Sequence, residues 1–259
     1  MTIFAYIKAK IRIKSMDAPI VTRNLEICSY EVDPNSLLKP VALQNLLQEI
    51  GYEGSEFCKC GYELLRSRNL FWALNRIHFR IPETPRWGDK IVLQTWSRGQ
   101  AGPLWHRNFR MVRPDQPEKP LVLATSAWTV VDLSQRTLFR GDLGFDESYH
   151  YGMDTLPFCT KITVPRDLEQ SNAGSHAVVW SDLDSNGHAN NCVYTQWAID
   201  LMPYEYVRNH RVSDVEINYF HEIRPGSTVD FLLARSENRW YVTGKVGDTV
   251  CFIERIEFD

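Results

Sequence analysis

One order of elements occurs twice along this chain, and that repetition restricts its fold more than any other property of the sequence. In the first half, Thr22 to Tyr30 has the composition of a strand and Asp33-Pro34-Asn35-Ser36 that of a turn. Leu43, Leu46, Leu47 and Ile50 then recur at the i, i+3, i+4, i+7 spacing of a helix with one buried face, with Pro40 suited to its first turn and Gly51 to the position past its end. Tyr62 to Arg68 reads as a short helix. Strands follow from Leu70 to Arg80 and in KIVLQTWSRG, WHRNFRMV and LVLATSAWTVVDL, joined by turns rich in Pro, Gly and Asp. The second half repeats the plan. CTKITVPRD and SHAVVW read as strands, Ala189 to Met202 as a helix stopped by Pro203, and VSDVEINYFHEIRPGSTVDFLLARSE, WYVTGKVG and TVCFIERIEF as further antiparallel strands. INYFHEIRPGSTVDFLLA matches RIHFRIPETPRWGDKIVLQTW in kind: strand, turn with Pro and Gly, strand. Two copies of a strand, helix, four-or-five-strand unit therefore account for the chain better than one continuous sheet. The first unit is expected over residues 1–150, with a linker from about 141 to 156, and the second over 151–259.

With 259 residues the chain buries roughly 70 to 75% of its unfolded surface, enough for a core that needs no staples. A net charge of -3 supplies no electrostatic case for nucleic acid or an anionic membrane, and no apolar run reaches the length of a membrane span. The six cysteines include one close pair, Cys58 and Cys60, with no second pair to complete a structural zinc site. Reduced thiols in the cytoplasm are the expectation, with no metal. The apolar and basic alternation over residues 1–15 lacks the pattern of an export signal, and Met16 is itself a candidate start, so no function is assigned there.

The chemistry concentrates in DLDSNGHANN, residues 182–191, where two carboxylates, three amides and a histidine lie between a strand and a helix. A helix starting near His188 would leave the N–H groups of His188 and Ala189 unpaired at its positive end, where a developing oxyanion is stabilised. Asp184, Asn186 and His188 alternate, so an extended loop would turn them to one side. A carboxylate, an amide and an imidazole together suit acyl transfer or hydrolysis. The same residues would also serve simply as a helix cap, with His188 packed in the first turn.

Other patterns carry less. The hydrolase elbow, the P-loop, the dinucleotide fingerprint and H-E-x-x-H are absent. His78, His106, His150, His176 and His210 stand alone in sequence and read as structural or surface residues. Cys192 lies in the expected helix as a small hydrophobe rather than a nucleophile. His221-Glu222 reads by itself as an exposed pair on a strand.

DLDSNGHANNCVYTQWAID resembles the D-x-N-x-H-x-N-N segment of the acyl-acyl carrier protein thioesterases, the plant plastid enzymes and their bacterial relatives. INYFHEIRPGSTV resembles their second signature, and NLEICSYEVDPNS, VALQNLLQEIG and TSAWTVVDLSQR resemble their first half. The likeness runs from about Asn24 nearly to the end. It implies an α+β tandem (double) hotdog, each unit an antiparallel sheet around a long central helix, with the active site in the second unit and the acyl pocket shaped by the first. It further implies hydrolysis of fatty acyl-acyl carrier protein, releasing free fatty acid and ending chain elongation in fatty acid biosynthesis, with Asp184, Asn186, His188 and Glu222 on the catalytic positions. Acyl carrier protein is then the partner, no cofactor is required beyond the phosphopantetheine arm that belongs to the substrate, a homodimer is allowed, and a bacterial cytoplasm is the expected location. An acyl-coenzyme A thioesterase and a non-catalytic acyl-binding hotdog are the alternatives.

In such a mechanism Glu222, with His188, holds or deprotonates water, Asn186 orients water or thioester, and Asp184 braces the loop. One departure from the plant pattern is Ile223, which stands where those enzymes carry a cysteine after the glutamate. In a regular strand Glu222 would share the face of Glu216, Asn218 and Phe220, opposite Val215, Ile217 and Tyr219, unless a bulge intervenes.

Overall fold

The computed structural model of the chain describes residues 18–153 and 155–259, so the arm at residues 1–15 lies outside the described residues. Among the described residues ten antiparallel strands form one sheet: β1 (Val21–Glu26), β2 (Leu70–Arg80), β3 (Lys90–Ala101), β4 (Leu104–Arg113), β5 (Gln116–Asp132), β6 (Ser171–Ala177), β7 (Val212–Tyr219), β8 (Thr228–Ser236), β9 (Arg239–Val246) and β10 (Thr249–Phe258). Their order is β1-β3-β4-β5-β2-β7-β10-β9-β8-β6. Read inward from either free edge the topology is the same, so the molecule is two five-stranded copies joined through the β2–β7 pair. The two expected units are present, and they differ from two separate sheets only in that β2 of the first pairs with β7 of the second, so one sheet runs through both.

Alternation along the strands sorts residues to two faces. Thr95, Phe109, Ala124, Phe79 and Val215 are successive cross-strand partners on the face that carries the helices, and four of them belong to the main apolar core. Trp96, Asn108, Thr125, His78 and Glu216 form the next row, on the other face.

Helix α1 (Pro40–Phe57) and the short α2 (Tyr62–Ser67) belong to the first half, α3 (Val193–Asp200) and α4 (Tyr204–Asn209) to the second. Leu43, Leu47 and Ile50 of α1 join Tyr194, Trp197 and Ala198 of α3 in a single core that spans both halves. Each half is thus a sheet wrapped on a central helix, the tandem hotdog. Two helix boundaries differ from expectation. Gly51 does not stop α1, which continues to Phe57; a Cβ at Gly54 would collide with the Arg107 guanidinium, so glycine serves close approach to the sheet there. The second central helix begins at Val193 and has only eight residues, because Asn190 takes Cys192 N–H on its side-chain oxygen (2.8 Å) and Val193 N–H on its carbonyl (3.0 Å).

The segment CTKITVPRD is not a strand. It continues the linker as an extended strap across the face opposite the helices, where the polar row of the sheet satisfies its backbone. Trp96 Nε1 and Asn108 Nδ2 donate to the Met153 carbonyl (2.8 and 2.9 Å), Arg76 Nη1 to that of Cys159 (3.1 Å), and Ile162 N–H to Asn218 Oδ1 (2.8 Å). Strand-like composition laid across a sheet face rather than along an edge gives this outcome, since the hydrogen bonds go to side chains instead of a ladder.

Candidate active site

The run from Asp182 to Asn190 folds as a tight loop with Asp184 at its hub. Leu183 and Ala189 pair as an isolated bridge, and Asn190 N–H closes the base on the Asp182 carbonyl at 2.8 Å. Asp184 donates its N–H to the His188 carbonyl (2.9 Å), while its Oδ1 accepts the N–H groups of Asn186 (2.8 Å) and His188 (3.5 Å). Gly187 turns the chain at φ 76° and donates to the Asp184 carbonyl at 3.0 Å, a conformation that costs glycine little. Beneath the loop, buried Asp182 accepts Val179 N–H and pairs with His176 Nε2, both at 2.8 Å.

Glu222 arrives from the other side. Strand β7 ends at Tyr219, and Phe220 and His221 both donate to the carbonyl of Cys251 (2.8 and 3.2 Å), the two-against-one arrangement of a bulge. Strand parity therefore does not decide where Glu222 points. Its Oε2 lies 3.3 Å from His188 Nε2, with His188 21% and Glu222 38% exposed. Ile223 is turned into the core, and its carbonyl takes the Ala189 N–H at 2.9 Å.

That last bond corrects the oxyanion expectation. Ala189 N–H is already paired, His188 N–H is directed at Asp184, and the helix whose dipole was to assist begins only at Val193. Cys192 is equally remote from nucleophilic work, since burial pushes its thiol up to about 12.

The cleft around His188 and Glu222 lies between the halves. Its walls include Tyr62 and Arg66 of α2, Phe71 to Asn75 of β2, Arg136, and Tyr219. Asn75 sits where the β2–β5 register slips, and the bulge delivers its side chain to the wall. Tyr62, Phe71, Trp72 and Asn186 also line a second cavity of about 210 Å³ inside the first half, walled by Trp72, Trp105, Trp128 and Leu65. Arg107 reaches the same cavity, donating to Thr95 Oγ1 at 3.3 Å. The arrangement offers a carboxylate and imidazole in contact, an amide beside them, and an aromatic slot leading away, which suits hydrolysis of an ester or thioester carrying an apolar chain.

The first half holds a copy of this loop. Asp33 accepts the N–H groups of Asn35 (2.8 Å) and Leu37 (3.0 Å) on Oδ1 and donates to the Leu37 carbonyl (2.8 Å). Ser36 takes the Gly187 place at φ 62°, and Leu38 N–H pairs with the Pro85 carbonyl (2.8 Å) as Ala189 does with Ile223. Leu37 thus stands where His188 does and Thr84 where Glu222 does. The copy is also closed: Asn35 Nδ2 donates to the Arg208 carbonyl (2.9 Å) and Arg211 Nη1 to Thr84 Oγ1 (3.2 Å). D-P-N-S-L against D-S-N-G-H is the sequence signal for it, faint because Pro34, Ser36 and Leu37 replace Ser185, Gly187 and His188. Asp-x-Asn is consequently loop architecture, and the reactive groups are what the second copy adds. Arg136 and Asn75, by contrast, had no local signal.

Two family models match the chain in order: the acyl-ACP thioesterase N-terminal domain over residues 20–141 and the acyl-ACP thioesterase C-terminal domain over residues 166–248. The chain is 28% identical over 234 residues to a chloroplastic dodecanoyl-[acyl-carrier-protein] hydrolase of Cinnamomum camphora, covering 82% of this chain and 59% of that protein. It is 25% identical over 226 residues to the chloroplastic oleoyl-acyl carrier protein thioesterase 1 of Arabidopsis thaliana, covering 79% of this chain and 60% of that protein. The chain thus spans about 60% of the length of these relatives. The crystal structure of an acyl-ACP thioesterase from Bacteroides thetaiotaomicron superimposes with a TM-score of 0.84 at 24% identity, covering 93% of this chain and 98% of that one. The 12:0-ACP thioesterase from Umbellularia californica gives 0.84 at 21%, covering 95% and 99%. With both domain models matched in sequence and a tandem fold that pairs the two copies around one cleft, this chain belongs to the acyl-ACP thioesterase family.

Proposed function

We propose that the protein hydrolyses the thioester between a fatty acyl chain and the phosphopantetheine arm of acyl carrier protein, with Glu222 and His188 as its central pair. The observation that carries this reading is the 3.3 Å contact between His188 Nε2 and Glu222 Oε2, in a cleft that opens onto an aromatic-walled slot. Water oxygen bonds to the acyl carbon, Glu222 takes its proton, and His188 holds the carboxylate in place. The carbon–sulfur bond then breaks, and the proton passes to the departing thiolate, leaving free acid and free thiol. Asn186, whose amide is tied to Asp184 only at 3.4 Å, turns toward the thioester oxygen, while Asp184 keeps the loop closed. The chemistry needs no bound cofactor, because phosphopantetheine arrives with the substrate.

The first half shapes the acyl site in this reading: each methylene buried against Trp72, Trp105 and Trp128 contributes about 0.8 kcal/mol. Arg66, Arg136 and Arg224 lie in or beside the cleft, and a cationic mouth supports an acidic carrier protein over coenzyme A. The reaction fits termination of fatty acid synthesis in a bacterial cytoplasm. A homodimer would be an addition to a cleft whose walls both halves of this chain supply.

Thiol release from matched acyl carrier protein and acyl-coenzyme A panels tests the reading. Glu222→Gln is expected to lower kcat roughly 100-fold or more on the carrier-protein esters. Equal rates for wild type and variant would remove Glu222 from the mechanism, and faster turnover of the coenzyme A esters would reverse the choice of carrier.

A further inference from the structure

Among the described residues, the side-chain contacts to Glu222 all fall on one oxygen. His188 Nε2 lies 3.3 Å from Oε2, Arg136 Nη1 3.4 Å and Arg224 Nη2 3.9 Å, and among the described residues Oε1 accepts no side-chain hydrogen bond. Arg66 and Asp184 are the other charged groups on the cleft wall. His188 and Arg224 belong to the same half as Glu222, whereas Arg136 comes from the turn that ends β5 in the first half.

The build of that turn is specific. Arg136 has φ 54°, a left-handed conformation that costs a residue with a Cβ about 1 kcal/mol or more. Asp132 imposes it. Its Oδ1 accepts the N–H groups of Ser134 (2.9 Å) and Gln135 (2.8 Å) and the Asn69 amide (3.2 Å). Its carbonyl accepts Arg136 N–H and its own N–H donates to the Thr137 carbonyl, both at 2.9 Å. Five hydrogen bonds through Asp132 fix the turn, and the side chain it presents reaches a carboxylate 86 residues away across the junction of the halves.

We infer that Arg136 is a positioning residue for the hydrolysis proposed above, and the inference rests on that reading. Together with His188 it pins Oε2, so that Oε1 is the oxygen that meets the water. The first half then contributes to the reaction itself and not only to the acyl slot.

Steady-state kinetics on acyl carrier protein esters decides the matter, with wild-type turnover as the internal control and thermal melts to establish folding. Arg136→Ala is expected to lower kcat about 10- to 100-fold with KM within about twofold. Arg136→Lys and added guanidinium should each restore part of the loss. Asp132→Ala, which leaves the guanidinium but loosens its turn, should give a smaller fall in kcat of the same kind. A raised KM at unchanged kcat would overturn the inference in favour of a contact between Arg136 and the substrate, and unchanged kinetics would overturn it outright. Absence of turnover in the wild type would instead remove the hydrolase reading, and this inference with it.

Discussion

His188 stands four residues from one carboxylate and 34 from another, and its ring contacts the distant one, Glu222. Asp184 uses its oxygens on backbone and amide N–H groups, as Asp33 does in the copy that has no imidazole to orient. The two loops therefore separate architecture from chemistry. Asparagine keeps an acceptor oxygen at position 184 and alanine does not, so Asp184→Asn should retain several-fold more activity than Asp184→Ala, with a melting temperature closer to wild type. A loss as large in the asparagine variant would mean that the charge itself is used. Legibility at this scale followed locality. Asp184, Asn186 and His188 fall in one run, whereas Glu222 entered through family likeness and Arg136 not at all, because its partner is supplied by another strand of another half.

Among the elements, periodicity predicted where the central helices lie but not where they end. Gly51 looks like a stop for α1 until the sheet is present, when it becomes a place of contact with Phe109 and the helix runs on past Gly54, where Arg107 approaches too closely for a Cβ. The start of α3 at Val193 differs from the expected Ala189 for a related reason: the N–H groups of residues 188 and 189 have partners outside the helix, which no local pattern announces. On the sheet, Gly244 of β9 sits opposite Phe252 of β10, whose fully buried ring covers it. A Cβ at Gly244 would run into that ring, so Gly244→Ala is expected to destabilise the protein by about 1 to 3 kcal/mol, read as a lower denaturant midpoint. An unchanged midpoint would show that the Phe252 ring can move aside.

At the scale of the whole molecule, two clusters of buried polar groups tie the halves together. Asp214 of β7 receives His78 and Arg80 from β2 and Arg255 from β10; burial alone would raise its carboxyl, but these partners hold it down at about 2. On the helix side Gln44 of α1 donates to the Thr195 hydroxyl of α3, which donates to Glu254 Oε1 at 2.6 Å. Full burial pushes Glu254 up to about 8 from an ordinary 4.5, and the Thr195 hydrogen bond only partly opposes it. The native state thus keeps a proton that the unfolded chain releases across that interval. Its stability contribution is complete below about pH 4.5 and lost as pH rises through 8, at roughly 1 kcal/mol per pH unit. Denaturant titrations from pH 5 to 8 should show that slope reduced in Glu254→Gln, and an identical slope in both proteins would exclude Glu254 as its source. The sequence by itself determined the two-copy element order and the polar run in the second copy, because both are written in local composition and spacing, and its motifs carried the resemblance to the family. Only the tertiary structure decided that the copies share one sheet, that the strap lies across its outer face, that Ala189 N–H is spent on Ile223, and that Glu222 meets His188 beside an arginine of the first half. Those outcomes depend on which hydrogen-bonding groups are left unpaired once distant strands have met, and a local stretch of sequence holds only one side of each such pair.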